Sequence, residues 1–378
     1  MYRTKLIIAL AAILAFPTTL PAQTINFSAG RVKIKNKKAT KAEDKEITRK
    51  RNVKTTKPSR TTRSSRNGQS SNRGGNNYNY YIQYDSDNNN VIVGSETVGR
   101  EKKRVSAFNS INVSSVINVV YRKGSPSVTV EAPDNCLDLI TCEVKNGCLY
   151  LDLSRNYSIR STSRIEFTAY VSCPELTGVT FSGTGYFKTE NLDVKDFSLI
   201  MSGTGSFYSK AIHAYNLTIR TSGTGYINAT TINATTKAQI NINGTGSLKA
   251  RSLTSPSISL LNAGTGDMNM EEGINCTDLE IRNSSTGDVY VGWIRANKCT
   301  LRNTGTGSMK FNSVESPVLK LLESGTGDLT VKGIVADTLA VRGSGTGTVR
   351  IYGKWKDISL AGSFIGRIYI NDEKLKFD

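Results

Sequence analysis

The chain has 378 residues and a formal charge of +18, with six cysteines and a single histidine. That length allows one large domain plus substantial extra sequence. The lone histidine excludes every Ser-His, Cys-His or histidine-metal arrangement that does not run through His213.

The charge is unevenly placed. Residues 24–80 hold 16 Lys and Arg against Glu43, Asp44 and Glu46, a net +13, whereas residues 105–378 carry only +3. The basicity belongs to a tail, and the remainder is close to neutral.

Arg3 and Lys5 precede an apolar run, Leu6 to Phe16, followed by the small and turn-forming residues Pro17 to Ala22. This is the layout of a cleavable secretory signal peptide over 1–22. The run is about half of what a membrane span needs, and no later segment is apolar enough to span. The chain is therefore expected to be exported, without a transmembrane segment in its mature form. No cysteine lies near the cut to carry a lipid.

Residues 23–104 are dominated by Lys, Arg, Thr, Ser, Asn and Gly, with too few apolar side chains to offset the entropy of ordering. They read as a disordered basic tail and linker. Near its end come Tyr78, Tyr80, Tyr81 and Tyr84, then a short strand signal at Val91, Ile92 and Val93.

From Val105 to Phe181 the apolar period is two. Ile111 and Val113, Val128 and Val130, Leu149, Leu151 and Leu153, and Ile165, Phe167 and Ala169 alternate with polar neighbours. Breaks fall at Gly124, Pro126, Pro133, Asn146-Gly147 and Pro174, so half-buried strands joined by turns are expected and no helix. Cys136, Cys142, Cys148 and Cys173 fall here; Cys276 and Cys299 come later. An export compartment permits disulfides, and four cysteines allow three pairings among which sequence does not choose. Their spacing is not that of a zinc knuckle, so no metal or cofactor is expected.

A repeat then begins. Gly-Thr-Gly starts at Gly183, Gly203, Gly223, Gly244 and Gly264, reappears as Ser285-Thr286-Gly287, and returns at Gly305, Gly325 and Gly345, in steps of 20 or 21 residues. Phe364-Ile365-Gly366 is a degraded tenth copy. A fixed period of this length means a stacked architecture.

Each unit has the same grammar. Shortly after the turn comes an apolar residue such as Phe187, Phe207 or Ile227, then a small or apolar one such as Ala250, Met270 or Phe311. A third position holds Leu192, Ile212 or Ile232, and a pair such as Leu217 with Ile219, or Leu339 with Val341, closes the unit. This gives two or three short strands per unit, each with one face inward. Coils stacked about 4.8 Å apart would put like residues over like in a rod of roughly 45–50 Å. The glycines are expected where φ turns positive and where bulk would collide between coils. A leucine-rich repeat would need a helical face, a denser leucine template and an asparagine ladder. The fold class expected is thus all-β: a right-handed, single-stranded parallel β-helix (solenoid) of 20-residue coils over 105–378, after the disordered tail. Phe364 and Trp355 are expected to help close its C-terminal end.

The stretch Phe108-Asn109-Ser110-Ile111-Asn112-Val113, then Gly147-Cys148-Leu149-Tyr150-Leu151 and Cys173-Pro174-Glu175-Leu176, followed by the Ser-Gly-Thr-Gly ladder, resembles the head GIN domain family. That family carries an auto-transporter adhesin label and is common in Bacteroidetes. The resemblance covers about 105–370. It implies a right-handed β-helix in the cell envelope, without an established activity. Nothing after Asp378 could form a translocating barrel, so a self-exporting autotransporter is not expected. The basic tail is not accounted for by the resemblance.

Catalysis finds little support in the residues. His213 lies between Ile212 and Ala214, outward by alternation. Asp267, Asp288 and Asp328 follow the glycine turn in three coils and read as turn-capping side chains. Calcium-binding repeats recur at nine residues, which this spacing is not. A phosphate-binding loop would open a helix, and no helical pattern follows any copy.

Arg220, Arg282, Arg302 and Arg342 take the outward position shortly before the turn, and Arg282 and Arg302 should be vertical neighbours. Such a stripe could hold an anionic glycan or phosphate; its bland alternative is solvated surface charge. The tail would meet anionic envelope polymers or lipid phosphates, or serve as a solvated tether; export removes the setting for nucleic acid. The expected function is a non-catalytic binding, adhesin-like or structural protein of the cell envelope, with glycans or surface proteins as partners. The alternative is a carbohydrate-active enzyme, lyase- or hydrolase-like, on the same scaffold. Periplasm, outer-membrane association and cell surface all fit, and oligomeric state is left open.

Overall fold

The computed structural model describes residues 82–84, 90–154, 158–160, 166–363 and 365–375. The expectations for the signal segment and most of the tail, for Ile165 and for Phe364 lie outside these residues.

The described chain is almost entirely strand. Its one helical element is a short 3-10 segment, Asp134–Leu139, which the period-two reading of this region did not anticipate. The repeats form a parallel β-solenoid of about ten turns. In the coil containing the strand Ser206–Thr221, the side chains of Phe207, Ser209, Ile212, Ala214, Leu217, Ile219 and Thr221 are buried. Alternation slips at Lys210-Ala211 and at Tyr215-Asn216, where successive residues leave the interior. Those slips are two corners of the coil, and the glycine turn is the third.

Parallel pairing stacks the coils in strict register. Phe187, Phe207, Ile227, Leu248, Met268, Val289, Met309, Leu329, Val349 and Ile368 form one continuous inward column. All of them are buried, and the rings of Phe187 and Phe207 stack with centroids 5.4 Å apart. A second column runs Phe197, Leu217, Ala238, Ile258, Leu279, Cys299, Leu319 and Leu339. Each fully buried apolar side chain contributes about 1.5–3 kcal/mol before the entropy of ordering is charged against it.

The glycine turns are tighter than their sequence suggests, for one reason and not two. A Cβ on Gly203 would lie 2.2 Å from the carbonyl oxygen of Gly183, and one on Gly223 would lie 2.0 Å from that of Gly203. No glycine of the Gly-Thr-Gly turns has a positive φ, contrary to expectation. Close approach between coils alone demands them. Left-handed backbone occurs instead at Asn146 (φ 52°) and Gly147 (φ 74°), where a two-residue turn joins the strands Ile140–Lys145 and Cys148–Leu153.

The ordered fold begins before residue 105. Val98–Lys103 pairs antiparallel with Ser127–Pro133, which pairs antiparallel with Phe167–Cys173 at the start of the stack. Asn90–Val93 also belongs to a small sheet with Ile82–Tyr84 and Ser158–Arg160. The charged sequence of 98–103 reads as tail because an edge strand needs no apolar alternation, and charges there block further pairing.

A candidate binding edge along the glycine turns

The aspartates after the turns are structural. Asp267 Oδ1 accepts the backbone N–H of Asp288 at 2.8 Å, Asp288 Oδ1 that of Ser308 at 2.7 Å, and Asp328 Oδ1 that of Thr348 at 2.9 Å. Each carboxylate thus stitches its coil to the next. Burial pushes the Asp328 carboxyl up, but the Thr348 N–H and the Arg350 guanidinium, 2.8 Å away, outweigh it and hold it below the usual range. His213 is exposed, stacked between Asp193 and Asn233, with Nδ1 3.3 Å from the Asn233 amide nitrogen.

The arginine column forms as read. Along the stack run Ile200, Arg220, Asn241, Leu261, Arg282, Arg302, Leu322, Arg342 and Ala361. All four arginines are exposed, and Arg282 and Arg302 are direct neighbours. Arg282 is held by Glu280 at 2.6 Å. Among the described residues Arg220, Arg302 and Arg342 have no ion pair. Arg302 and Arg342, two coils or roughly 9–10 Å apart by strand spacing, flank a shallow groove also lined by Leu322, Glu323, Ser324 and Ser344. Further along the same edge a second groove is lined by the turns from Ser222 to Thr286.

Thr184, Thr204, Thr224, Thr245, Thr265, Thr286, Thr306, Thr326 and Thr346 stand side by side along this edge, all exposed. None of their hydroxyls bonds within the described chain. Val116 and Ile365 occupy the same place in the flanking coils, so the backbone asks for β-branching there and not for a hydroxyl.

Behind the arginines lies a column that sequence reading missed. Asn262, Asn283 and Asn303 are fully buried and in register, and each donates through Nδ2 to the carbonyl four residues on, at 2.9, 3.0 and 3.0 Å. These amides lock the turn from inside. An asparagine ladder was expected only of a leucine-rich repeat; it is present here in coils that have no helical face. Its signal was available as Asn two residues before the turn in three successive units. The fourth member is Glu323, only 2% exposed, whose Oε1 accepts the Gly325 N–H at 2.9 Å. Burial pushes its carboxyl up to about 7, against the opposing pull of the Gly325 N–H and the Asn303 amide.

The family described as "Putative auto-transporter adhesin, head GIN domain" matches residues 107–271 and 252–371, which together take in the coils and the strands leading into them. The chain belongs to this family. Crystal structures similar to this head GIN protein include a "putative adhesin" from Parabacteroides distasonis, 16% identical over 72% of this chain and 100% of that one, with a TM-score of 0.44. Another "putative adhesin", from Bacteroides fragilis, is 19% identical over 72% and 100%, with a TM-score of 0.36. A "putative lipid binding protein" from Parabacteroides distasonis is 17% identical over 74% and 99%, with a TM-score of 0.35. No curated protein matches the chain.

The head GIN coils also leave a groove at a corner away from the glycine turns. Its floor is a column of small side chains, Cys276, Ala296, Ser316 and Ala336, and Trp355 packs at its upper end, half-buried against the core. Across it Arg295 pairs with Glu315 at 3.1 Å and Lys356 with Asp337 at 2.8 Å. All six cysteines are free thiols, so no pairing is formed among Cys136, Cys142, Cys148 and Cys173. Burial pushes Cys136 and Cys142 up to about 11 and Cys276 up to about 12, which leaves these thiols poor nucleophiles. Among the described residues no group of His, Cys, Asp or Glu is placed to hold a metal ion, and no helix is long and apolar enough to cross a membrane.

Proposed function

We propose that this head GIN protein is an exported, non-catalytic adhesin-type scaffold of the cell envelope that holds an anionic glycan or similar polymer along its glycine-turn edge. The observation that carries this is the pair Arg302 and Arg342, exposed, without ion pairs among the described residues, and set on either side of one groove. Guanidinium groups free of internal carboxylates are the ones available to an external anion. Arg220 lies on the same line further down, and Arg282 is partly neutralised by Glu280. The aspartates that a hydrolytic reading would recruit are bonded to backbone instead. The +13 tail adds a sequence-independent, salt-sensitive attraction to the same class of polymer. Binding of the full chain to an array of neutral and anionic glycans, compared with an Arg302→Ala/Arg342→Ala variant, tests the reading. Weaker binding of anionic glycans by the variant is expected; equal binding discards it.

The corner groove supports a second reading. Glu315 and Asp337 sit on its two walls with Arg295 and Lys356, the mixture a carbohydrate-active enzyme would need. Their ion pairs tie both carboxylates to cations, which favours a structural role. Release of sugars from a polysaccharide panel by wild type, abolished in Glu315→Gln and Asp337→Asn, would promote this reading over the first.

A further inference from the structure

One buried column changes its chemistry part-way along the stack. Asn262, Asn283 and Asn303 carry amides, and the next coil carries an acid, Glu323, in the same register. An amide at this place locks the turn well, as three coils show, so folding alone does not call for a carboxyl. The change falls in the one coil that lies between the free arginines, because Leu322 is the rung between Arg302 and Arg342.

The hydrogen bonds around Glu323 are incomplete in a specific way. Oε1 takes the Gly325 N–H and the Asn303 amide also pulls on the carboxyl, but among the described residues Oε2 is buried with no hydrogen bond formed, as is Oδ1 of Asn303 in the rung below. Two buried acceptors with no donor are costly. A proton on the Glu323 carboxyl supplies the missing donor; its loss leaves a buried charge. The rung above is Gly343, which offers no side chain. Among the described residues the charged side chain acting on Glu323 from across the turn is Asp328, which opposes ionisation. Arg302 and Arg342 leave their strands on the opposite, outward face.

Resting on the reading that the arginine column receives an anionic polymer, we propose that the Arg302–Arg342 groove is an anion site gated by the protonation of Glu323. With the carboxyl neutral, the turn Ser324–Gly327 is locked from inside, and the groove takes a sulfate or carboxylate group of a glycan between the two guanidiniums, with Ser324 and Ser344 beside it. With the carboxyl ionised, a negative charge lies under the groove, and the oxygen that holds the Gly325 N–H is drawn toward water. Both effects weaken the hold on an anion. Burial places the transition in the neutral range, so mild acidification strengthens capture.

The experiment measures affinity of the full chain for dextran sulfate and for polygalacturonate, with neutral dextran as control, between pH 5.5 and 8.0. Binding that survives in Arg302→Ala/Arg342→Ala comes from the tail or from the rest of the column and is subtracted. The wild type is expected to lose severalfold in affinity from the acid to the alkaline end. Glu323→Gln, which keeps an acceptor for Gly325 and adds an amide donor for Asn303, is expected to bind at the acid-end level throughout. Glu323→Asn, matching the three rungs below, guards against misfolding of the first variant and should behave alike. If the arginine variant loses binding but wild type and both Glu323 variants share one pH profile, the gate is wrong while the arginine reading stands. If the arginine variant binds as well as wild type, both fall. A response to only one of the two polyanions would tell sulfate from carboxylate as the natural group.

Discussion

At the N-terminal end of the stack both sides finish in antiparallel strands. Val98–Lys103 lies outside Ser127–Pro133 on one, and Ile140–Lys145 lies outside Cys148–Leu153 on the other. The outer strands carry Arg100, Glu101, Lys102 and Lys103, and Glu143 and Lys145. At the C-terminal end one side is covered by Arg367–Ile370 and the short strand Glu373–Lys374. On the other, Asp357–Ala361 pairs, among the described residues, only with the strand below. Ile358 and Leu360 hold core registers over Leu339 and Val341 yet are 39% and 38% exposed. The contrast shows how a solenoid can be protected: reversed strand direction and charge stop the ladder, whereas a bare parallel rung invites its continuation.

The largest test of that contrast is a core deletion in the middle against one at the bare end. Phe207→Ala should destabilise by about 3–5 kcal/mol, because its ring is buried against Phe187 and Phe197. Ile358→Ala should cost about 1 kcal/mol or less, since it is already part-solvated. Chemical denaturation with hydrogen exchange of individual coils separates the two; equal losses would mean that the end is packed as the middle is.

Acidity should narrow the difference between the ends, because Glu323 lies close to the bare C-terminal one. The folded-state value of Glu323 lies above its ordinary one, at about 7. Its contribution is therefore fully present below about pH 4.5 and disappears as pH rises through 7. Relative to wild type, Glu323→Gln should be unchanged at pH 5 and more stable at pH 8, by on the order of 2 kcal/mol. Thermal melts at the two pH values check this. A gain at pH 5 as large as at pH 8 would show that Glu323 is ionised in both.

Gly225→Ala should cost about 1–3 kcal/mol, because the added carbon would sit 2.1 Å from the Gly205 carbonyl with coils locked on both sides. Gly366→Ala meets a similar 2.0 Å approach to Gly347, but in the last turn, with no further glycine turn stacked on it among the described residues, so a smaller loss is expected. Smallest of all should be Ile358→Lys, within about 0.5 kcal/mol in stability. Its expected readout is less self-association at high concentration by light scattering, since a lysine blunts the open rung.

The interior was legible because each inward position recurs eight to ten times, and repetition turns a weak preference into a pattern. Phe187, Phe207 and Ile227 announce a column that no single coil would reveal. The arginine column was legible for the same reason. Asn262, Asn283 and Asn303 were not, because asparagine beside a glycine turn reads as surface, and only the stacked geometry shows that its amide faces inward. Glu323 was hidden further by being a charge in an apolar place. The corner groove was invisible because Ala296, Ser316 and Ala336 carry little periodic signal, and two walls define it rather than one residue type. The strand Val98–Lys103 reads as tail because its charges, which protect an edge, look in sequence like those of a disordered segment.

Among the described residues each coil is bonded only to the coil before and the coil after it. Stretched between its two ends, such a molecule has no contact that spans distant coils to break all at once. It would yield by peeling one turn at a time, each release feeding out about 70 Å of slack chain at much the same load. Under the adhesin-type role proposed above, that would be the behaviour of a shock absorber, giving way in equal steps.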